Sequence, residues 1–293
     1  MAPTIDIVRH AEAFHNIAGT DFPDPPITRR GRSHQCKTLR RLYPFGNKVT
    51  HIVSSPLRRA IDTALATFEP IVEDDVPIIL LPELQEINAT QSSTGSEKRK
   101  LQDWFDDVPT LDMSELTEDW YLKGSDTPFA PNVEKVEARA KAARSWLRTL
   151  ARTAREDAHI VVVTHGEFAH WLTNDFIGVG YGSNSGWAVC EFRSYQFANL
   201  YAPTTEDVPL VETDESLERR SIDPMKGPVS PDRRNQAELK RIASITVQLH
   251  ANALEAYESQ KRSELELRGV VPDEESDEAW FDIDEDADKE NQY

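Results

Sequence analysis

Apolar residues along the first two hundred positions follow two alternating rhythms. TIDIV (4–8), HIVS (51–54), VPIILL (76–81), HIVVVT (159–164) and WAVCEF (187–192) are β-branched or apolar and too short for free-standing helices, so they predict strands. Between them, GRSHQCKTLRRLY (31–43), PLRRAIDTALATF (56–68) and VEKVEARAKAARSWLRTLARTA (133–154) repeat apolar residues every three or four positions, as one buried helix face requires. Ser55 stands at the N-cap of the second helix and Pro56 in its first turn, where a missing N–H costs nothing. HIVVVT is apolar on both faces, the pattern of a strand covered by helices on either side. Strands separated by helices predict an α/β fold of three layers, α/β/α, around a mostly parallel central sheet.

Past residue 202 this pattern weakens. Residues 1–202 read as one domain, and 203–234, rich in Pro, Ser and acids, as a linker or loop. Residues 235–268 predict a long helix with apolar positions enough to dock on the body, and 269–293 an acidic, disordered tail.

The net charge is −18, yet residues 272–293 hold eleven acids and one lysine, so −10 belongs to that end and −8 to the rest. An acidic body argues against nucleic-acid binding, which draws on phosphate neutralisation by Lys and Arg. A small anionic ligand stays open, since two or three arginines make a pocket locally positive. The two cysteines, Cys36 and Cys190, have no CxxC spacing and suggest neither a disulfide framework nor a zinc site. No segment approaches eighteen apolar residues, and IDIVRHAE begins at residue 5 with no leader-like stretch ahead of it. The expectation is a soluble protein without a membrane partner, resident in the cytoplasm, with the nucleus as second option.

In open α/β sheets ligands bind at the carboxyl ends of the strands. Here that rim receives Arg9 and His10, the Ser54–Arg59 turn, and His165 with Gly166. Two histidines and several arginines after buried strands suit a phosphoryl group. At these residues the chain resembles the histidine phosphatase superfamily, its phosphoglycerate mutase-like branch. VRHAEAFHN (8–16), ITRRGRSHQC (27–36), SSPLRRAIDTA (54–64), LQEI (84–87) and VVVTHGEF (161–168) follow that family's motifs in its order, across about residues 4–201. The resemblance implies a phosphoglycerate mutase-like fold and a catalytic domain over 1–202. It also implies a nucleophilic His10, phosphate-clamping Arg9, Arg59 and His165, a general acid at Glu86 and a phosphate contact from Asn16. Arg58 would then be a helix-surface residue. Ala11 stands where the family carries glycine, and its methyl is expected to narrow the floor of the pocket.

The chemistry asks for these residue types independently. A neutral imidazole attacks phosphorus in line and splits one hard displacement into two. Forked arginine donors and a second imidazole stabilise the transferring group, so no metal or other cofactor is called for. A carboxyl group kept protonated near neutral pH supplies the leaving alcohol with its proton. The bland readings are a strand-end ion pair for Arg9 and His10, a solvated loop acid for Glu86 and a turn residue for Asn16. His15, His34, His51, His159, His170 and His250 read as surface or satisfied core histidines, since no pair has the HExxH spacing. Glu86 is followed by INATQSSTGS, without the basic stretch that holds a carboxylate in glycerate mutases. That favours a phosphomonoester hydrolase of a small phosphorylated metabolite over the alternatives, a phosphomutase or a catalytically idle phospho-ligand binder. In the acidic end, Ser276, Trp280 and Phe281 offer a weaker reading as a docking site for a protein partner.

Overall fold

The computed structural model describes residues 2–18, 22–73, 76–180, 185–222 and 235–267. The tail expected over 269–293, with its docking reading, lies outside them. In chain order the elements are β1 (Thr4–Arg9), α1 (Phe14–Ala18), a π-helical turn (Gly31–Cys36) running into α2 (Lys37–Leu42), β2 (Val49–Ser54), α3 (Arg58–Glu73), β3 (Ile78–Leu80) and α4 (Lys98–Trp104). They continue with β4 (Leu111–Asp112), α5 (Val133–Thr153), β5 (His159–Thr164), α6 (Gly166–Thr173), β6 (Phe192–Phe197), β7 (Leu210–Glu212), α7 (Asp214–Ile222) and α8 (Gln236–Leu267).

The seven strands form one sheet in the order β4-β3-β2-β5-β1-β6-β7. The first five are mutually parallel, and β6 and β7 add an antiparallel edge. β5 pairs with β1 and β2 and is buried along its whole length, as its two-faced apolar run predicts. Two apolar clusters cover the faces: one holds Ile5, Ile7, Ile160 and Val162 with α5 and α6, the other Val8, Val161 and Val163 with α3. Alternate residues of the same strands thus belong to different layers. Asn132 caps α5 by accepting the N–H groups of Glu134 and Lys135, a contact typically worth about 1 kcal/mol.

Two expectations need correction. WAVCEF is not a strand: residues 187–191 are irregular with a turn at 189–190, Cys190 has φ +55°, and β6 begins only at Phe192. The true strand, FRSYQF, reads as polar because Arg193 and Ser194 are buried and paired, with Glu191 and Asp6 respectively. The stretch expected as a linker carries β7, paired with β6, and α7. The chain divides into a unit over 1–251 and a second from Asn252. Within the first, Ala243 and Val247 of α8 join the α5–α6 cluster. Among the described residues no helix is long and apolar enough to cross a membrane.

Candidate active site

The carboxyl ends of the parallel strands are tied by backbone bonds that carry three distant segments to one place. The His10 N–H donates to the Thr164 carbonyl, the Ser55 N–H to Val163, and the Leu81 N–H to Ser54. His10, Arg59 and His165 therefore emerge side by side, each at most 2% exposed. The His10 and His165 rings lie 5.1 Å apart.

The tautomer of His10 is set by what its two nitrogens face. Nδ1 lies 2.7 Å from the Ala11 carbonyl oxygen, an acceptor, so Nδ1 carries the hydrogen. Nε2 accepts from the Arg59 Nε–H at 3.3 Å, so Nε2 keeps its lone pair. Burial, then the charges of Arg59 and Arg9, push the imidazole well below its ordinary pKa and keep it neutral.

Around it, several donors are held in place. Arg59 also donates to the Ser92 carbonyl and, at 3.4 Å, to the Ser93 hydroxyl. Arg9 reaches the Trp187 carbonyl through one guanidinium nitrogen, while its buried Nε has no partner. His165 Nε2 lies 2.8 Å from the Ser55 hydroxyl, and its buried Nδ1 has no partner. The capping expected of Ser55 is not its role: it accepts the Leu57 N–H, but α3 begins only at Arg58, so Leu57 stands at the N-cap. Gly166 is required by close approach: a β-carbon there would lie 2.2 Å from Ser185 Oγ and 3.1 Å from Arg9 Nε.

Glu86 sits just beyond, 8% exposed. Its Oε1 accepts the N–H groups of Ile87 and Phe168 at 2.9 and 3.1 Å. Burial, reinforced by the neighbouring Glu167, raises its pKa against the pull of the Ile87 N–H, Arg59 and Lys123. Two buried cations missed by sequence reasoning brace its loop. Lys123 Nζ donates to the carbonyls of Glu86 and Asn88, both at 2.8 Å, and Arg139 to those of Gln85 and Glu86. A signal for Arg139 existed: with Arg144 and Arg148 it falls in register with the buried apolar stripe of α5. Lys123, alone in a turn, gave none.

Asn16 lies one residue contact away from His10, through His15. Its side chain is exposed, accepts the Ala13 N–H at 3.0 Å and touches His15, whose ring lies 5.9 Å from that of His10. The Ala11 methyl packs in a small cluster with Ile27 and Cys36, rather than narrowing the pocket floor as expected. Arg58 places its guanidinium 4.4 Å over the Trp104 ring. Among the described residues no three His, Cys, Asp or Glu side chains gather as metal ligands would.

The family model described as histidine phosphatase superfamily (branch 1) matches residues 5–196. The chain belongs to this superfamily. The chain is 26% identical over 209 residues to phosphoglycerate mutase-like protein 1 of Arabidopsis thaliana, covering 58% of this chain and 71% of that protein. A probable phosphatase of Schizosaccharomyces pombe is 28% identical over 170 residues, 56% of this chain and 74% of its own. In fold it is similar to the ecdysone phosphate phosphatase of Bombix mori, solved with tungstate, with a TM-score of 0.50 and 13% identity over 72% of this chain and 92% of that one. Phosphatases and phosphoglycerate mutase-like proteins are thus among the relatives of this chain.

Proposed function

We propose that the chain hydrolyses a phosphomonoester of a small metabolite, without a metal ion, through a phosphohistidine at His10. One observation carries the reading: a neutral imidazole whose Nε2 keeps its lone pair faces Arg59, beside two buried donors, Arg9 Nε and His165 Nδ1, that have no partner among the described residues. Buried donors are almost always satisfied, so two orphans at one spot call for an acceptor from outside. A phosphoryl group supplies such oxygens.

In the first step Nε2 attacks phosphorus, the P–O bond to the alcohol breaks, and the alkoxide takes the Glu86 proton. In the second, the Glu86 carboxylate removes a proton from water, the water oxygen attacks phosphorus, and the N–P bond returns its electron pair to Nε2. Arg9, Arg59 and His165 hold the equatorial oxygens throughout. For His165 Nδ1 to donate it must carry the hydrogen, which has the Ser55 hydroxyl donate to Nε2.

Hydrolysis is favoured over isomerisation by where the nearby cations point. Lys123 and Arg139 are bound to backbone carbonyls, and INATQSSTGS brings no charge that would hold a second anionic group. The test measures inorganic phosphate against isomerised product across a panel of sugar and glycerate phosphates. Phosphate release is expected; isomer without phosphate would establish a mutase. Labelled phosphohistidine should be trapped in the native chain and absent from His10→Ala; no label in either marks an idle binder.

A further inference from the structure

We propose that Cys36 and Cys190 form an oxidisable dithiol whose closure to a disulfide disarms the histidine site. These are the chain's only two cysteines, and both are free. They come from segments far apart in sequence, one ending the π-helical turn and the other in the turn before β6. The fold nonetheless packs Cys190 against the cluster of Ala11, Ile27 and Cys36.

The bland reading is a pair of small apolar residues filling a gap. Three observations go beyond it. Cys190 holds φ +55°, a left-handed conformation that a space-filling residue does not need. It is half-buried, where Cys36 is fully buried. Each thiol acts on the other, lowering the Cys36 pKa and raising that of Cys190, which leaves the buried Cys36 sulfur readier to act as thiolate beside a proton-bearing partner.

The connection to the site is direct. The Cys190 N–H donates to the carbonyls of Arg9 and His10 at 3.1 and 3.4 Å. Cys36 packs on Ala11, whose carbonyl fixes His10 Nδ1. A disulfide draws the sulfurs to about 2 Å, closer than any non-bonded contact, so one or both of these supports must move. With hydrogen peroxide as oxidant, one sulfur attacks a peroxide oxygen, the O–O bond breaks, and a sulfenic acid and water form. The second sulfur displaces the sulfenic hydroxyl as a second water. In balance, two S–H bonds and one O–O bond are exchanged for one S–S bond and two waters.

The test treats the full chain with hydrogen peroxide and maps its peptides without reduction. The expected result is a Cys36–Cys190 linked peptide lighter by two hydrogens. Turnover of p-nitrophenyl phosphate should fall about tenfold or more, since displacing a reacting group by about 1 Å can cost 10²-fold, and dithiothreitol should restore it. Cys36→Ala, which leaves the left-handed backbone of Cys190 untouched, and Cys190→Ser should keep reduced-state turnover and lose the sensitivity. Sulfinic acid at Cys190 without a cross-link, or a cross-link with unchanged turnover, overturns the proposal. The turnover arm rests on the phosphomonoesterase reading, so orthovanadate binding is measured in both redox states as well. A reduced protein that neither turns over nor binds vanadate defeats that reading, while the cross-link still decides the dithiol.

Discussion

Two groups of buried charge lie at different parts of the same sheet, and their partners answer burial in different ways. At the antiparallel edge, Arg193 Nε donates to Glu191 at 2.7 Å, Arg220 to Glu212 at 2.6 Å, and Ser216 completes Glu212 at 2.7 Å. Burial alone would lower Arg193, but Tyr195, Glu191 and Glu212 outweigh it and its pKa rises. At the carboxyl ends of the parallel strands, Arg59 and Arg139 both fall to about 10, and Lys123 well below its ordinary value. Their burial is equal in kind, but Arg59, Lys123 and Arg139 donate to backbone carbonyls, whereas each edge arginine meets a carboxylate. The edge group is neutralised from within; the strand-end group holds surplus positive charge. That surplus costs stability and creates affinity for an anion, the trade-off expected where function sets the sequence.

The sharpest way to break this contrast is His10→Ala. The variant should lose turnover by roughly 10⁴-fold or more, as when a nucleophile acting within a concerted set is removed, with its thermal midpoint close to the parent's. A variant that keeps its rate in a phosphate-release assay would show that the surplus charge serves something other than this nucleophile.

Glu86→Gln comes next. General acid–base catalysis contributes typically 10²–10⁴-fold, and the loss should fall on kcat. The native pH profile follows from the two shifts. His10, lowered, must be neutral to attack, so the rate falls on the acid side only well below the ordinary imidazole range. Glu86, raised, must be protonated to donate, so the rate of phosphohistidine formation falls as pH climbs through its elevated pKa. The glutamine variant should lose that alkaline limb and keep the acid one. An unchanged alkaline limb in pre-steady-state kinetics would assign it to another group.

Swapping one arginine in each group compares them directly. Arg220→Met leaves Glu212 buried without its cation and should cost about 3–5 kcal/mol in denaturant unfolding, with kcat of the folded protein near the parent's. Arg59→Met removes a cation whose burial is poorly compensated, so stability should change by about 1 kcal/mol or less, while catalysis falls by roughly 10²–10³. Equal destabilisation by the two would end the distinction.

How far the sequence disclosed all this follows the same division. β1, β2 and β5 were legible because a buried parallel strand is a continuous apolar run, and the strand-end residues were legible because polar side chains directly after such runs stand out. Arg9, His10, Arg59 and His165 all signalled in this way. β6 was misplaced because its buried residues are charged or polar and meet partners in β1, β7 and α7 that only the folded sheet brings near. Lys123 and the Cys36–Cys190 contact were illegible for the same reason: each depends on closure of segments distant in sequence. Asn16 shows what a motif position leaves open: it specifies residue type, while the local contacts of the amide oxygen with the Ala13 N–H and of the amide nitrogen with His15 appear only in the fold.

Asp24 gives the smallest and most exacting test, because it borders the surplus group as an acid. It is 1% exposed, with a backbone φ of +35°, and its Oδ1 accepts the Arg58 N–H at 2.9 Å. Burial pushes its carboxyl up to about 6 from 3.8, against the Arg58 N–H and the Arg59 charge. A folded state that holds this proton more tightly is favoured below the unfolded value, and loses that advantage as pH climbs through about 4 to about 6. At about 1.4 kcal/mol per pKa unit the swing is at most about 3 kcal/mol. Asp24→Asn keeps an acceptor for the Arg58 N–H, suits a positive φ and has no charge to bury. Urea unfolding across a pH series should find variant and parent alike near pH 3.5 and the variant more stable by about 1–3 kcal/mol at pH 7, the gap opening between those limits. A parent more stable than the variant at pH 7 would mean that Arg59 holds Asp24 as a true ion pair. The strand-end group would then be neutralised from within, as the edge group is, and its orphaned donors would no longer reflect surplus charge.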